Sequence, residues 1–395
     1  MLTPAEADAA IAATLAQVPQ EELPLPACAG RVLRREVRAE RDAPPFDRVT
    51  MDGIACAGGA RRSLRIAGVQ AAGTPALTLH SAEECIEVMT GAMLPNGCDT
   101  VVPVERIQVA DGNATIEPGY MPAAWLHVHR RAADARAGDR LLEAGTRLGA
   151  PEIAIAASAG LPRLTVSRLP RIAVVSTGDE LVEPGLPVLD HQIRRSNSHG
   201  LVAALTLAGF APETDLHLPD NRDELERSLA RELDRHDVLV LSGGVSAGRF
   251  DHVPAVLAAL GVQKVFHQVA QRPGRPLWFG TRAPGKVVFA LPGNPVSVLV
   301  CLARYVVPAL AAMSAARPSP RRTVALARPF EFPAPLTCFM PVTLGYDHEG
   351  RTLAEPRPTG GSGDFISLAG TDGFVELPPG PAIHPLGLTV PFYRW

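Results

Sequence analysis

The chain has 395 residues, 46% hydrophobic and 20% charged, with a formal net charge of −3. That is an ordinary globular balance, long enough for two to four domains with separate cores. No Lys/Arg block occurs, which argues against a nucleic-acid partner but leaves room for a small anion held by a few placed cations. No uninterrupted apolar run reads as a bilayer span, and MLTPAEADAA lacks the layout of a signal peptide. The six cysteines (28, 56, 85, 98, 301 and 338) form no CxxC pair. The expectation is a cytoplasmic protein with reduced, buried thiols and no membrane contact.

In chain order, Thr3 and Glu6 form a capping box with Pro4 at the first helical position, and an Ala/Ile/Leu face runs to about Val18. Residues 46–137 alternate short strand-like runs (SLRIAGV, ECIEVMTG, DTVVPVERIQV, NATIEP) with Gly/Pro/Asn turns, as a β-rich insert does. It divides an N-terminal helical and linker part, residues 1–45 and 138–169. From 170 to 318 strands and helices alternate: RIAVVST, the helix HGLVAALTLAGF, ETDLHLP, an amphipathic helix with Leu225, Leu229 and Leu233, DVLVLSGG, HVPAVLAALG, KVVFALPG and the apolar helix PVSVLVCLARYVVPALAAM. That pattern predicts a parallel-sheet α/β core. Residues 319–395 return to short strands, a small C-terminal β domain. The fold class is therefore multidomain α/β plus β.

Ligands of an open parallel sheet bind beyond the carboxyl ends of its strands. Three strands here end in turns suited to an oxyanion: Ser176-Thr177-Gly178-Asp179-Glu180; Ser242-Gly243-Gly244-Val245-Ser246-Ala247-Gly248, with Asp251 soon after; and Leu291-Pro292-Gly293-Asn294-Pro295-Val296-Ser297. Glycines let backbone N–H groups approach a phosphate, and a helix starting near Pro295 presents free N–H groups. Chain reversal alone explains any one such turn; three on one sheet edge favour a site. Glu180, Asp220 and Asp251 on the same edge suit Mg²⁺, which bridges oxygens that otherwise repel. Asp220 and Asp251 equally suit helix caps. Arg272 and Arg275, around Pro273-Gly274, suit a tetrahedral oxyanion or a solvated loop. No P-loop, G-x-G-x-x-G, G-x-S-x-G or HExxH motif occurs. The residues alone imply an Mg-assisted phosphate or oxyanion site and name no substrate.

Six segments together resemble the molybdopterin molybdenumtransferases, the MoeA family that includes the E domain of gephyrin: Pro44–Gly53, Met89-Thr90-Gly91-Ala92, Ser176–Leu181, Gly243–Gly248, Arg272–Pro276 and Leu291–Ser297. The resemblance spans nearly the whole chain. It implies a core like that of MogA-type adenylyltransferases and a homodimer. The implied reaction inserts molybdate into adenylylated molybdopterin with Mg²⁺, releasing AMP. A molybdopterin adenylyltransferase and molybdoenzyme-maturation factors are its implied partners. It adds Asp52, Thr90 and Asp134 to Glu180, Asp220 and Asp251 as catalytic residues, the last three also holding the metal. It assigns ligand binding to Thr177, Gly178, Asp179, Ser196, Asn197, Gly243, Gly244, Val245, Ser246, Arg272, Arg275, Pro292, Gly293, Asn294, Pro295 and Ser362. It also implies that the cleft joins the α/β domain of one subunit to the β insert of the other.

Several positions depart from the family pattern. Arg194-Arg195 precede Ser196-Asn197 where an aromatic–acid pair is common. Gln268 replaces a frequent Lys, and Leu336–Pro341 lacks the usual arginines. Fewer cations weaken anion binding unless Arg194 or Arg195 compensates. The alternatives are a non-catalytic paralogue that binds the pterin or a partner protein, and an adenylyltransferase or nucleotide hydrolase using the α/β domain alone.

Overall fold

The computed structural model describes residues 1–58, 61–245, 252–282 and 285–395. The first helix, α1 (Pro4–Ala12), carries the expected capping box: Thr3 Oγ1 accepts from Glu6 N at 3.2 Å, and Glu6 Oε2 accepts from Thr3 N at 2.7 Å. It ends six residues short of Val18. Ala7, Ile11 and Val18 are buried in the α/β core, so the N-terminal helix packs there and not on its sequence neighbours. The rest of the N-terminal unit is α2 (Ala150–Ser158) with two antiparallel ladders, Gln20–Pro24 on Arg163–Ser167 and Val37–Arg38 on Arg140–Leu142.

Each strand-like run of the insert forms a strand. DTVVPVERIQV splits into two strands around a short helical turn, and a strand outside those runs, Gly53–Cys56, completes one six-stranded sheet in the order Thr100–Pro103, Gly53–Cys56, Glu84–Val88, Ser63–Gln70, Asn113–Ile116, Ile107–Ala110.

In the α/β core the strands are β1 (Ile172–Thr177), β2 (Thr214–Leu218), β3 (Val238–Ser242), β4 (Gln263–His267), β5 (Trp278–Thr281) and β6 (Val287–Leu291), in the spatial order β2-β1-β3-β6-β5-β4. The four pairing strands β2, β1, β3 and β6 are parallel, as expected. β5 is antiparallel to both neighbours, a hairpin that the short runs QKVFH and WFGT do not announce. The hairpin has a functional consequence: β4 points the same way as β1, β3 and β6, so its tip, residues 268–277 with Arg272–Pro276, emerges at the carboxyl edge of the sheet.

Helices α3 (Asn197–Leu207), α6 (Pro295–Cys301) and α7 (Val307–Met313) cover one face with α1; α4 (Arg222–Arg235) and α5 (Val253–Ala259) cover the other. Leu225, Leu229 and Leu233 of α4 point inward as their spacing requires. A π-helical turn, Leu302–Val306, joins α6 to α7. By length and composition alone the 19-residue stretch Pro295–Met313, with a mean hydropathy of 2.0 over its 18-residue window, would suit a bilayer, although Arg304 interrupts the apolar run. Its composition follows instead from burial: Val298, Leu302, Val306 and Leu310 are all in the core. All six cysteines are free and buried.

The C-terminal strands close into a barrel, because β7 (Thr337–Tyr346) pairs both with Thr352–Pro356 and with Gly373–Leu377. Gln271–Arg272, from the hairpin tip, adds to β7 in parallel. Apolar contacts of Val296, Val300, Phe339 and Phe374 fill the interface with the core. Arg304, 3% exposed, bonds Asp8 of α1 (2.7 Å) and Glu376 of the barrel (2.8 Å).

Removing one partner of a buried ion pair leaves the other charge uncompensated. Arg304→Met is expected to destabilise the core–barrel junction by about 3 kcal/mol, read as a lowered urea midpoint. An unchanged midpoint would show that the triad contributes nothing net.

Candidate functional site

The carboxyl edge of β1, β3 and β6 brings three loops together. Gly243 (φ 99°) and Gly244 (φ 67°) follow β3 in the left-handed region. A Cβ on Gly243 would stand 2.6 Å from Thr177 O, and one on Gly244 would stand 2.6 Å from Val253 Cγ2. Only glycine fits this nest against the end of β1. Asn197, at the start of α3, ties the other two strands: its Nδ2 donates to Ser242 Oγ (2.9 Å) and to Gly293 O (2.7 Å).

Among the described residues three buried polar atoms here have no partner: Thr177 Oγ1, Asn197 Oδ1 and Ser198 Oγ. Native interiors rarely leave such groups unsatisfied, so orphans clustered at one sheet edge mark a place where a ligand's polar groups fit. Ser196 stands beside them without a side-chain cap bond to α3. The Val245 side chain is buried in the core, which leaves only its backbone for a ligand; Val245 O already accepts from His267 at 3.2 Å. Ser246 and Asp251 lie outside the described residues.

The acids behave as a group. Asp179 Oδ1 accepts from Asp220 N (3.0 Å), and Glu180 folds back over Gly178. Burial, then the charges of Asp179 and Glu180, raise the Asp220 carboxyl above its ordinary proton affinity. Asn221, not Asp220, caps α4 through a 3.0 Å bond to Glu224 N, so Asp220 is released from the capping role that the sequence left open. His252 holds the N-cap position of α5. Among the described residues no group of three ligands already converges on a metal position.

A cleft of about 710 Å³ opens beside this edge, between the core and the barrel. One wall is the hairpin tip with Arg272 and Arg275; another is Pro292, Gly293, Asn294 and Ser297; the barrel supplies Ser362 and the apolar side chains Phe330, Phe332, Leu336 and Met340. Both arginines are exposed, and among the described residues neither has an ion-pair partner. Asn294 Nδ2 donates to Ser362 Oγ at 2.6 Å, and Val296 N donates to Ser362 O at 3.1 Å. The α6 N-terminus is therefore partly covered by the barrel, where the sequence reading expected free N–H groups after Pro295.

In the insert, Asp52 Oδ1 accepts from Thr90 N (2.6 Å) and Thr90 Oγ1 (2.8 Å). These bonds, the backbone one first, hold its carboxyl below the usual range. Asp134 Oδ1 lies 2.9 Å from His129 Nε2, and His129 Nδ1 lies 3.0 Å from Arg48 Nη2. A guanidinium can only donate, so in neutral His129 Nδ1 accepts and Nε2–H faces Asp134. Among the described residues, no hydrogen bond or ion pair joins Asp52, Thr90 or Asp134 to the sheet edge within the chain.

Three family models match the chain: the MoeA N-terminal region (domains I and II) over residues 2–160, a probable molybdopterin binding domain over 173–312, and the MoeA C-terminal region (domain IV) over 323–395. The chain belongs to the MoeA family. A molybdopterin molybdenumtransferase of Synechocystis sp. is 42% identical over 377 residues, 93% of each chain. That of Synechococcus elongatus is 34% identical, covering 94% of this chain and 95% of its own. A molybdopterin biosynthesis MoeA structure from Pyrococcus horikoshii OT3 superposes over 100% of both chains with a TM-score of 0.83 at 23% identity, a likeness of fold. A second MoeA structure from that genus, 29% identical, gives 0.79 over 100% and 99% of the two chains.

The motif resemblance to the MoeA family is thus borne out, and the compensation that the sequence left open for Arg194 and Arg195 meets guanidiniums already engaged. Arg195, 7% exposed, bonds Ser176 Oγ (2.9 Å), Glu183 (2.8 Å) and Asp215. Arg194 donates to the carbonyls of Glu183 and Leu186. Both guanidiniums are engaged with the protein itself: Arg195, buried beside β1, must find internal acceptors, while the exposed Arg194 is held by two loop carbonyls. Sequence reasoning also missed the apolar cleft wall and the polar pair beneath the arginine turn. A signal was present: Arg304 and Tyr305 interrupt an otherwise apolar helix.

An acid whose folded-state pKa is raised costs stability once the pH rises through that value, because the unfolded chain loses its proton more readily. Without divalent cations at pH 7, Asp220→Asn is expected to raise Tm by roughly 1–3 °C. Mg²⁺ should raise the wild-type Tm and not the variant's. Calorimetry showing a lower Tm for the variant would make Asp220 a structural residue.

Proposed function

We propose that the chain inserts molybdate into adenylylated molybdopterin, releasing AMP and the finished cofactor. The observation that carries this reading is the loop 291–297, shared by two adjoining sites. On one side Gly293 O is held by Asn197 among the orphaned polar atoms; on the other Asn294 and Ser297 face the cleft with Arg272 and Arg275. A nucleotide phosphate at the glycine nest and an oxyanion at the arginines would be neighbours, as a substrate carrying both an AMP group and a metal-accepting end requires.

On this reading the Gly243–Ser246 backbone holds the AMP phosphate, and Thr177, Asn197 and Ser198 supply the unused hydroxyl and amide groups. Arg272 and Arg275 hold a tetrahedral dianion, the geometry a guanidinium fork matches. Glu180, Asp220 and Asp251 would hold Mg²⁺. They are oxygen donors only, as a hard cation prefers, and burial first, then the charges of Asp179 and Glu180, raise the proton affinity of Asp220, a charge that a cation there would offset. Bound there, the metal neutralises charge on the phosphoryl oxygens. No protein nucleophile is needed, since the pterin's dithiolene sulfurs become the molybdenum ligands. The one thiol in the cleft wall, Cys338, is pushed up to about 12 by burial, so it stays neutral and does not compete for the metal.

Asp52, Thr90 and Asp134 enter through a homodimer, each cleft completed by the neighbouring protomer's insert. A molybdopterin adenylyltransferase would supply the substrate, in a reducing cytoplasm.

Purified protein given adenylylated molybdopterin, molybdate and Mg²⁺ is expected to release AMP in step with cofactor formation. AMP release without metal insertion would point to a nucleotide hydrolase; tight pterin binding with no release would point to a non-catalytic paralogue. Shared clefts make a further prediction. A heterodimer of one Asp52→Ala chain and one Asp220→Ala chain keeps one intact site, so it should recover about half of the wild-type rate while each variant homodimer is inactive. An inactive heterodimer would end the two-protomer cleft.

A further inference from the structure

The two arginines of the cleft sit on a hairpin tip, and exposed tips are mobile unless something beneath them is fixed. What lies beneath is a buried polar network. Gln271 is wholly buried; its Nε2 donates to Gly274 O at 3.1 Å and contacts Cys301 Sγ at 3.6 Å. Its Oε1 accepts from Tyr305 OH, itself 1% exposed. Backbone bonds close the same tip, Val269 N to Arg275 O at 2.9 Å and Leu277 N to Gly274 O at 3.3 Å. A side chain at Gly274 would meet Cys301 Sγ at 2.6 Å and Gln271 Nε2 at 2.7 Å, so the turn rests directly on the network.

Tyr305 reaches Gln271 from the π-helical turn Leu302–Val306, whose Arg304 turns instead to Asp8 and Glu376. The extra residue of a π-turn changes which neighbours adjacent side chains can reach. Here one side chain serves the barrel junction and the next serves the arginine turn.

A buried amide–phenol pair adds little net stability over an apolar pair of the same shape, because both groups are first stripped of water. What it adds is direction. We propose that Gln271, oriented by Tyr305, is the positioning residue of the cationic turn: it sets the separation of Arg272 and Arg275 so that one tetrahedral dianion engages both. The proposal rests on the molybdate reading of the cleft, and neither Gln271 nor Tyr305 touches the anion in it.

The test uses full-length Tyr305→Phe, Gln271→Leu and the double variant, each assayed for molybdate-dependent AMP release and melted in parallel. Single variants leave a buried partner unsatisfied, so each should lose stability and raise the molybdate KM about tenfold with kcat within about twofold. The double variant removes both polar partners. Its Tm should return toward wild type while its molybdate KM stays high. A KM that recovers with the Tm would reduce the pair to a packing role and overturn the proposal, as would single variants with unchanged KM. Wild-type protein whose AMP release ignores molybdate would instead remove the reading of the cleft, and this proposal with it.

Discussion

Gln271 and Arg272 belong to two folding units at once. In the α/β core they are the tip of the β4–β5 hairpin; in the C-terminal barrel they are a strand added in parallel to β7. Backbone ladders have little tolerance for register error, because a one-residue slip turns every side chain to the opposite face. Locking the tip to β7 therefore fixes the barrel against the core and places Arg272 at the mouth of the cleft in a single step. The Arg304 triad and the Val296, Val300, Phe339 and Phe374 contacts hold the same two bodies together along α6 and the π-helical turn. The cleft exists because these attachments surround it without filling it.

The antiparallel β5 has the same logic. A parallel crossover after β4 would also start at that edge, but it would lead the chain away through a helix on one face. A hairpin keeps the tip at the carboxyl edge, level with the loops after β1, β3 and β6. The glycine nest and the guanidinium pair thus share one edge although they stand some 30 residues apart in the chain. Asn197 then cross-links Ser242 to Gly293, so the loops are braced to each other and not only to their strands.

Local structure was legible wherever one element's own pattern decided it. Thr3 and Glu6 bond as their spacing requires, Leu225, Leu229 and Leu233 form the buried stripe of α4, and the long apolar runs become β1, β3 and β6. The glycine-bearing turns were legible as neighbours because the parallel pairing of β1, β3 and β6 collects them at one carboxyl edge. What periodicity cannot report is the partner. Nothing in PAEADAAIA says that α1 leaves its sequence neighbours for the α/β core, and nothing near Pro295 says that Ser362 O takes the Val296 N–H. Arg195 read as a spare cation because its acceptors, Ser176, Glu183 and Asp215, lie on three separate segments. Asp220 read equally well as a cap until Asn221 was seen to hold that place.

The apolar barrel wall changes what the loss of its arginines means. Phe330, Phe332, Leu336 and Met340 line the barrel side of the cleft, and Leu336 and Met340 fall in the segment where the family resemblance led the sequence reading to expect arginines. Among the described residues Arg272 and Arg275 are the cations on the cleft wall, so on the proposed reading an anion there meets few charges, each shielded from water on its apolar side alone. Both guanidiniums are exposed, so water can replace a missed contact, and the gain over water comes only when the dianion engages both forks at once. A cleft of this composition gains little from additional charge nearby and loses much from disorder in the two charges it has. Geometry at the hairpin tip therefore carries more of the recognition here than in a cleft lined by many cations, and the buried support of that tip becomes as consequential as the arginines themselves.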